Sequence, residues 1–171
     1  MLTQTFGRLR QEAGEHCGVH FERVYDYTVD ELWSALTDPA QLRGWLGPTE
    51  LDLRVGGEVV VRFAEGEDET VRGVVRQLEP KRLLEYSWNI HDEPESILRI
   101  ELEPRDRGTL LVLDHRMLAV AQATGYGAGW HAHLDGLEHR LGGREHDWDA
   151  RFAELLPAYR KQAAELAEVA G

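Results

Sequence analysis

An amphipathic stretch near the carboxyl end, residues 129–141, limits the folds open to this chain. Trp130, Leu134, Leu137 and Leu141 recur at the spacing of one face of an α-helix. No comparably long amphipathic helix precedes them, whereas several earlier runs alternate as β-strands do. Because a sheet with one apolar face needs a cover, the pattern predicts that this helix covers the sheet. We expect any bound molecule to lie between the two.

The same helix carries a second pattern, His131, Asp135 and His139, at i, i+4 and i+8. Such spacing can present metal ligands from one helix face. These positions lie away from the apolar stripe and beside Glu138, so we predict instead a solvated, charged face. With no clustered cysteines elsewhere, the sequence predicts neither a metal site nor a cofactor.

Composition limits the classes of molecule that the protein is expected to bind. The chain has 19 Lys and Arg against 31 Asp and Glu, a formal net charge of −12, which disfavours nucleic acid and anionic membranes. Cys17 is the sole cysteine, so no internal disulfide can form, and a reducing cytoplasm is expected. No apolar run approaches the ~20 residues of a membrane span, and the amino end lacks a hydrophobic signal core. We expect one cytoplasmic domain over residues 1–171, monomeric or homodimeric.

Hydrophobic periodicity predicts an α+β fold with helices on one face of a curved antiparallel sheet of six or seven strands. A first strand at 18–28 precedes two short helices at 30–36 and 39–46, and further strands follow at 51–55, 58–64, 70–78, 82–90, 97–103 and 109–117.

The two ends and one connection are less regular. Residues 1–15 are expected to be loosely ordered or to form a short extra strand or helical turn. Residues 119–129 contain three glycines and predict a loop or a ragged helix start. A helical extension is expected over 144–171, kinked or restarted at Pro157.

Several local strings, taken together, resemble a known superfamily. They include Arg23-Val24-Tyr25, LWSALTDP at 32–39, LRGWLGP at 42–48, DLRVGG at 52–57 and LEPKRL at 78–83, within about residues 21–141. The chain resembles SRPBCC proteins, the START-like or birch-pollen-allergen-like group. Within that group it is most similar to the family named after the activator of the heat-shock-protein-90 ATPase.

The resemblance implies a helix-grip fold, in which the sheet wraps around a long carboxy-terminal helix after two short helices. It also implies a cavity for apolar or amphipathic small molecules. The superfamily includes cyclases and hydrolases, so fold alone does not decide between binding and catalysis.

Side chains on the inward faces of the predicted elements are candidates for the cavity wall. They are Trp45, Leu46, Val61, Phe63, Tyr86, Trp88, Leu111, Leu113, His115, Met117, Trp130, His133 and Leu134, with Trp45 and Leu46 near the mouth. The alternative is that these residues fill a closed, packed core.

Three functions are compatible with these patterns. The first is non-enzymatic binding of a small apolar or aromatic molecule, such as a lipid. The second is a cyclase-like or hydrolase-like reaction on an aromatic or polyketide substrate, with His115 or His133 as acid or base. The third is a co-chaperone-like module that contacts a chaperone through an exposed apolar patch. We rank them in this order.

Overall fold

The computed structural model describes residues 5–63, 66 and 69–170, which form an eight-stranded antiparallel sheet and four α-helices. The strands are β1 (Arg8–Gln11), β2 (His16–Tyr25), β3 (Thr49–Leu51), β4 (Glu58–Arg62), β5 (Thr70–Glu79), β6 (Leu83–Trp88), β7 (Ser96–Pro104) and β8 (Thr109–Ala119). The helices are α1 (Val29–Thr37), α2 (Pro39–Leu42), α3 (Ala123–Leu141) and α4 (Trp148–Ala170).

The sheet is curved and unclosed, with the order β1-β2-β8-β7-β6-β5-β4-β3 and every neighbouring pair antiparallel. The predicted α+β helix-grip fold is therefore confirmed. The extra strand is β1, which falls in the amino-terminal segment for which a short strand was one expectation.

The two short helices begin as their sequences predict. Thr28 caps α1 in a capping box with Glu31, which leaves Asp30 in the first turn. Asp38 caps α2, and Pro39 occupies its first turn. Because α2 ends at Leu42, the predicted helix at 39–46 is too long.

A bulge in β8 changes which of its side chains face inward. His115 pairs with Val19, but Leu118 pairs with Cys17, so β8 carries one extra residue there. Met117 sits in the bulge with φ 64°, and its side chain is 41% exposed. The alternation shifts by one residue, which makes Leu118 the buried residue. The prediction that Met117 faces the cavity is wrong for this reason.

The covering helix α3 begins at Ala123, directly after a 3-10 turn at Val120–Gln122. Of the two expectations for residues 119–129, the ragged helix start therefore agrees with the structure and the loop does not. The apolar stripe packs as expected, with Trp130, Leu134 and Leu137 at most 2% exposed. Tyr25 on β2 donates a hydrogen bond to the carbonyl oxygen of Leu134 at 2.9 Å, which ties the sheet to the helix.

The second long helix, α4, packs against a different face of α3. Gly127 allows the close approach, since a Cβ atom there would lie 2.7 Å from Tyr159 Cδ1. His131 on this face is fully buried, so the prediction that it lies on a solvated face is wrong. Helix α4 also runs through Pro157 without a break, so no restart occurs there.

Candidate functional site

A cavity of about 630 Å³ opens between the sheet, the turn after α2, and the amino-terminal halves of α3 and α4. Its wall consists of Arg43, Gly44, Trp45, Leu46, Gly47, Phe63, Glu69, Trp88, Ile90, Glu93, Gln122, Gly125, Tyr126, Gly129, Trp130, His133, His146, Trp148 and Asp149. Its size falls within the range of small-molecule pockets, roughly 300–1,000 Å³.

Six of the side chains predicted from sequence lie on this wall: Trp45, Leu46, Phe63, Trp88, Trp130 and His133. Five others, Val61, Tyr86, Leu111, Leu113 and Leu134, are buried but do not line the cavity. His115 is also buried away from the wall, and Met117 faces solvent. A binding role for the six stays a prediction.

Eight of the wall residues carry an aromatic or imidazole ring. The ring centroids of Trp88 and Trp130 lie 5.5 Å apart, and Phe63 is 6.0 Å from Trp88. The His133 ring lies 5.7 Å from Phe63 and 5.1 Å from Trp148. Because each ring packs against a neighbour and has few rotatable bonds, the cavity is preformed.

His115 is held neutral by its neighbours. Its Nδ1 accepts a hydrogen bond from Trp130 Nε1–H at 2.9 Å, so Nε2 carries the proton and faces Ser96 Oγ at 2.7 Å. Burial lowers the pKa of His115 from 6.5 to about 3. With both ring nitrogens occupied inside the core, His115 has no free lone pair with which to act as a base.

His133 differs because its ring lines the cavity. Its Nδ1 lies 3.0 Å from the carbonyl oxygen of Trp45, so Nδ1 must be the donor and the neutral ring keeps its lone pair on Nε2. No partner for Nε2 lies among the residues that the structure describes. Burial lowers the pKa of His133 from 6.5 to about 4. At neutral pH Nε2 is therefore a hydrogen-bond acceptor and a weak base.

A hydrogen-bonded chain lies across the wall beside Trp88. Trp88 Nε1–H donates to the Tyr126 hydroxyl at 3.0 Å, and this hydroxyl donates to Glu93 Oε1 at 2.8 Å. Burial, then the bond to Glu93, raises the pKa of Tyr126, which stays protonated. Tyr126 was not among the candidates because its segment was expected to be a loop or a ragged helix start, without a defined inward face.

Charged side chains border the aromatic surface. Glu69, Glu93 and Asp149 are the carboxylates on the wall, and Arg43 is its guanidinium. Within the described part of the chain, none of these four groups forms an ion pair. The border of the cavity is thus net negative. Trp148 and Asp149 come from α4, whose share in the wall was not predicted from its sequence.

The His131, Asp135 and His139 pattern serves packing. The Tyr159 hydroxyl accepts from Gly7 N–H and donates to His131 Nδ1 at 2.8 Å, because His131 Nε2 faces the Asp135 carboxylate at 3.7 Å and carries the ring proton. Burial alone would raise the pKa of Asp135, but Arg23 and Arg151 bind its carboxylate and lower it. Across residues 5–63, 66 and 69–170, no group of three or more His, Cys, Asp or Glu side chains is arranged to hold a metal ion.

An open, curved antiparallel sheet gripping a long helix, with a cavity at one end of that helix, defines a START-like domain of the SRPBCC type. The model of the family described as "Activator of Hsp90 ATPase homolog 1-like protein" matches residues 26–142. The chain belongs to this family. None of the helices described is long and apolar enough to span a membrane.

Solved structures extend the similarity beyond the family match. CalU16 from Micromonospora echinospora is 29% identical, with 93% of this chain and 98% of that chain covered and a TM-score of 0.78. Protein MLL2253 from Mesorhizobium loti is 28% identical over 74% of this chain and 97% of its own, with a TM-score of 0.67.

A third structure, DynU16, is described as a protein in the dynemicin biosynthetic locus. It is 24% identical over 74% of this chain and 48% of its own, with a TM-score of 0.67, and it shows similarity of fold alone. No curated protein matches this chain.

Proposed function

We propose that this protein binds a small apolar or aromatic molecule in the cavity beside α3, without carrying out a chemical step on it. The observation that carries the proposal is the cavity of about 630 Å³ with an aromatic wall. A closed core would leave few voids larger than a water molecule, whereas this space accommodates a polycyclic ligand. The proposed ligand class also fits the family match.

The histidines favour binding over catalysis. His115 has both ring nitrogens in buried hydrogen bonds. The pKa of His133, about 4, makes Nε2 a weak base at neutral pH, where an effective general base would have a pKa near the working pH. Burial also raises the pKa of Tyr86, which keeps its hydroxyl neutral. Contact with a chaperone stays a prediction from sequence.

The experiment is a titration with Nile red, a neutral dye that fluoresces in apolar surroundings. We expect saturable uptake by the native protein, together with a change in tryptophan emission. That change is expected because Trp45, Trp88, Trp130 and Trp148 all lie on the wall. Native mass spectrometry of freshly purified protein would show whether a cellular molecule is retained.

A cavity-filling variant makes the titration specific. Gly125 is helical and lines the cavity, and a Cβ atom there would meet nothing within 4 Å. Gly125→Leu should weaken Nile red binding about tenfold or more, while better helix propensity maintains or raises stability. The matched control is Ala153→Leu, at an exposed position of α4 away from the wall. Absence of uptake, or equal uptake by both variants, would refute the proposal.

A further inference from the structure

We propose that the cavity selects a ligand whose apolar, aromatic body carries a protonated amine with at least one N–H, and that it discriminates against carboxylates. This inference rests on the proposed function, because it names the chemistry of the molecule that the cavity takes. It follows from two independent properties of the wall: which polar atoms are free, and which charges border them.

The indole N–H groups of the wall are already used. Trp45 Nε1–H donates to the carbonyl oxygen of Ala35 at 2.8 Å, and Trp148 Nε1–H donates to that of Gly129 at 3.3 Å. Those of Trp88 and Trp130 donate to Tyr126 and His115, as described above. The tryptophans therefore offer a ligand their ring faces and no hydrogen-bond donor.

Two ring nitrogens on the wall have no partner in the described residues: His146 Nε2, which is shielded from solvent, and His133 Nε2, which is an acceptor that the cavity reaches. His133 Nδ1 donates to Trp45, which leaves Nε2 with its lone pair and with no partner in the described residues. The ring is mostly buried and packs 5.7 Å from both Phe63 and Trp130. Nε2 is reached from the cavity and is surrounded mainly by rings, so a ligand N–H placed there gains a hydrogen bond in apolar surroundings, where it is stronger than in bulk water.

The charges on the same wall favour a cationic ligand. Glu93 approaches the wall through its hydrogen bond from Tyr126, and Glu69 and Asp149 stand at the exposed border. Among the described residues of the wall, Arg43 is the one opposing charge, and Gln122 and His146 are its further polar side chains. Trp faces attract cations as well, and the effect increases when water is excluded. An anionic head group would meet net repulsion and find Arg43 as its only cationic partner there.

The test compares four ligands with one naphthalene body and different head groups: 1-naphthylmethylamine, its trimethylammonium analogue, 1-naphthylmethanol and 1-naphthoic acid. Each displaces Nile red from the native protein at about pH 7. We expect the amine to bind about tenfold or more tighter than the acid, as one charge-assisted hydrogen bond allows. The trimethylammonium analogue, which is cationic but has no N–H, should fall between them.

Two variants separate the hydrogen bond from the charge. His133→Phe should weaken the amine about tenfold and leave the trimethylammonium ligand unchanged. The double variant Glu69→Gln/Asp149→Asn changes exposed side chains that form no ion pair with another described residue, so it should fold and should narrow the amine-to-acid ratio. Its control, Glu165→Gln/Glu168→Gln, makes the same charge change on the distant end of α4 and should keep the native ratio.

The two proposals fail differently. If all four naphthalenes bind with similar affinity, the cavity takes apolar ligands and the amine preference is wrong. If the naphthoate binds tightest, the head-group contact belongs to Arg43 and the amine preference is again wrong. If no naphthalene binds and Nile red is not taken up, the proposed function fails, and this inference fails with it.

Discussion

His115 illustrates how one side chain can be fixed by partners from three elements. Trp130 from α3 donates to Nδ1, Ser96 from β7 faces Nε2, and the Trp88 ring lies 5.1 Å away. Trp130 fixes the tautomer of the imidazole, Ser96 holds its Nε2 proton, and the Trp88 ring restricts its orientation. His115 is therefore a neutral side chain behind the cavity wall, and its hydrogen bond positions the Trp130 indole.

We predict that Ser96→Ala destabilises the protein by about 1–3 kcal/mol, because His115 Nε2–H would lose its acceptor in a fully buried site. Urea unfolding followed by circular dichroism measures the change. Ser34→Ala is the matched control: the Ser34 hydroxyl accepts a hydrogen bond from Gln41, a half-buried side chain that water can reach. Equal losses in the two variants would show that the His115 bond contributes nothing special.

The residue scale is also where sequence prediction was weakest. Strand alternation placed His115 inward, and the structure agrees. The same alternation placed Met117 inward, because nothing in the amino-acid sequence of β8 reveals a bulge opposite Gly18. Nor could spacing reveal that Trp130 and Ser96 occupy both nitrogens of His115, since these partners come from distant parts of the chain.

At the scale of elements, α4 joins the amino-terminal edge of the sheet to the covering helix. The Tyr159 hydroxyl accepts from Gly7 N–H at 2.8 Å and donates to His131 on α3. Gln162 accepts from Leu9 N–H and donates to the carbonyl oxygen of Gly7. Because α4 also supplies Trp148 to the cavity wall, the same helix couples the edge strand β1 to the site.

The predicted consequence is that Tyr159→Phe costs about 1–3 kcal/mol and loosens β1 selectively, because two buried hydrogen bonds are lost. Hydrogen exchange should speed up at the amides of Gly7 and Leu9 well before those of β7. Tyr27→Phe serves as the control, since the Tyr27 hydroxyl has no hydrogen bond to another described residue. Uniform acceleration across the sheet would argue against a local tie.

The sequence pattern predicted α3 and its contact with the sheet, but not its contact with α4. The stripe led by Trp130 is apolar and periodic, so it predicted the contact with the sheet. The face toward α4 includes Gly127 and His131, which do not form an apolar stripe. Small residues permit close helix approach without raising hydrophobicity, so this second buried face was interpreted as solvated.

At the scale of the whole molecule, the fold encloses several histidines as neutral groups. Burial lowers the pKa of His115 to about 3 and those of His131 and His133 to about 4, against 6.5 for the free side chain. For His131 the nearby Arg23 guanidinium adds to this lowering. His115 lies on β8, His131 on the side of α3 that faces α4, and His133 on the cavity wall. Protonation of these histidines at acidic pH therefore affects the sheet, the helix pair and the cavity together.

The unfolded chain therefore binds more protons than the folded protein between pH 6.5 and about pH 4. Stability from these groups is complete above pH 6.5 and is lost as the pH falls, on the order of 1 kcal/mol per pH unit for each histidine. Urea unfolding at intervals from about pH 8 to about pH 5 should give a plateau and then a decline. Burial also lowers the pKa of His146, so His133→Phe removes one of four such groups and should reduce the slope by about one quarter to one third. A flat profile in the native protein, or an unchanged slope in this variant, would mean that the buried histidines accept protons without unfolding.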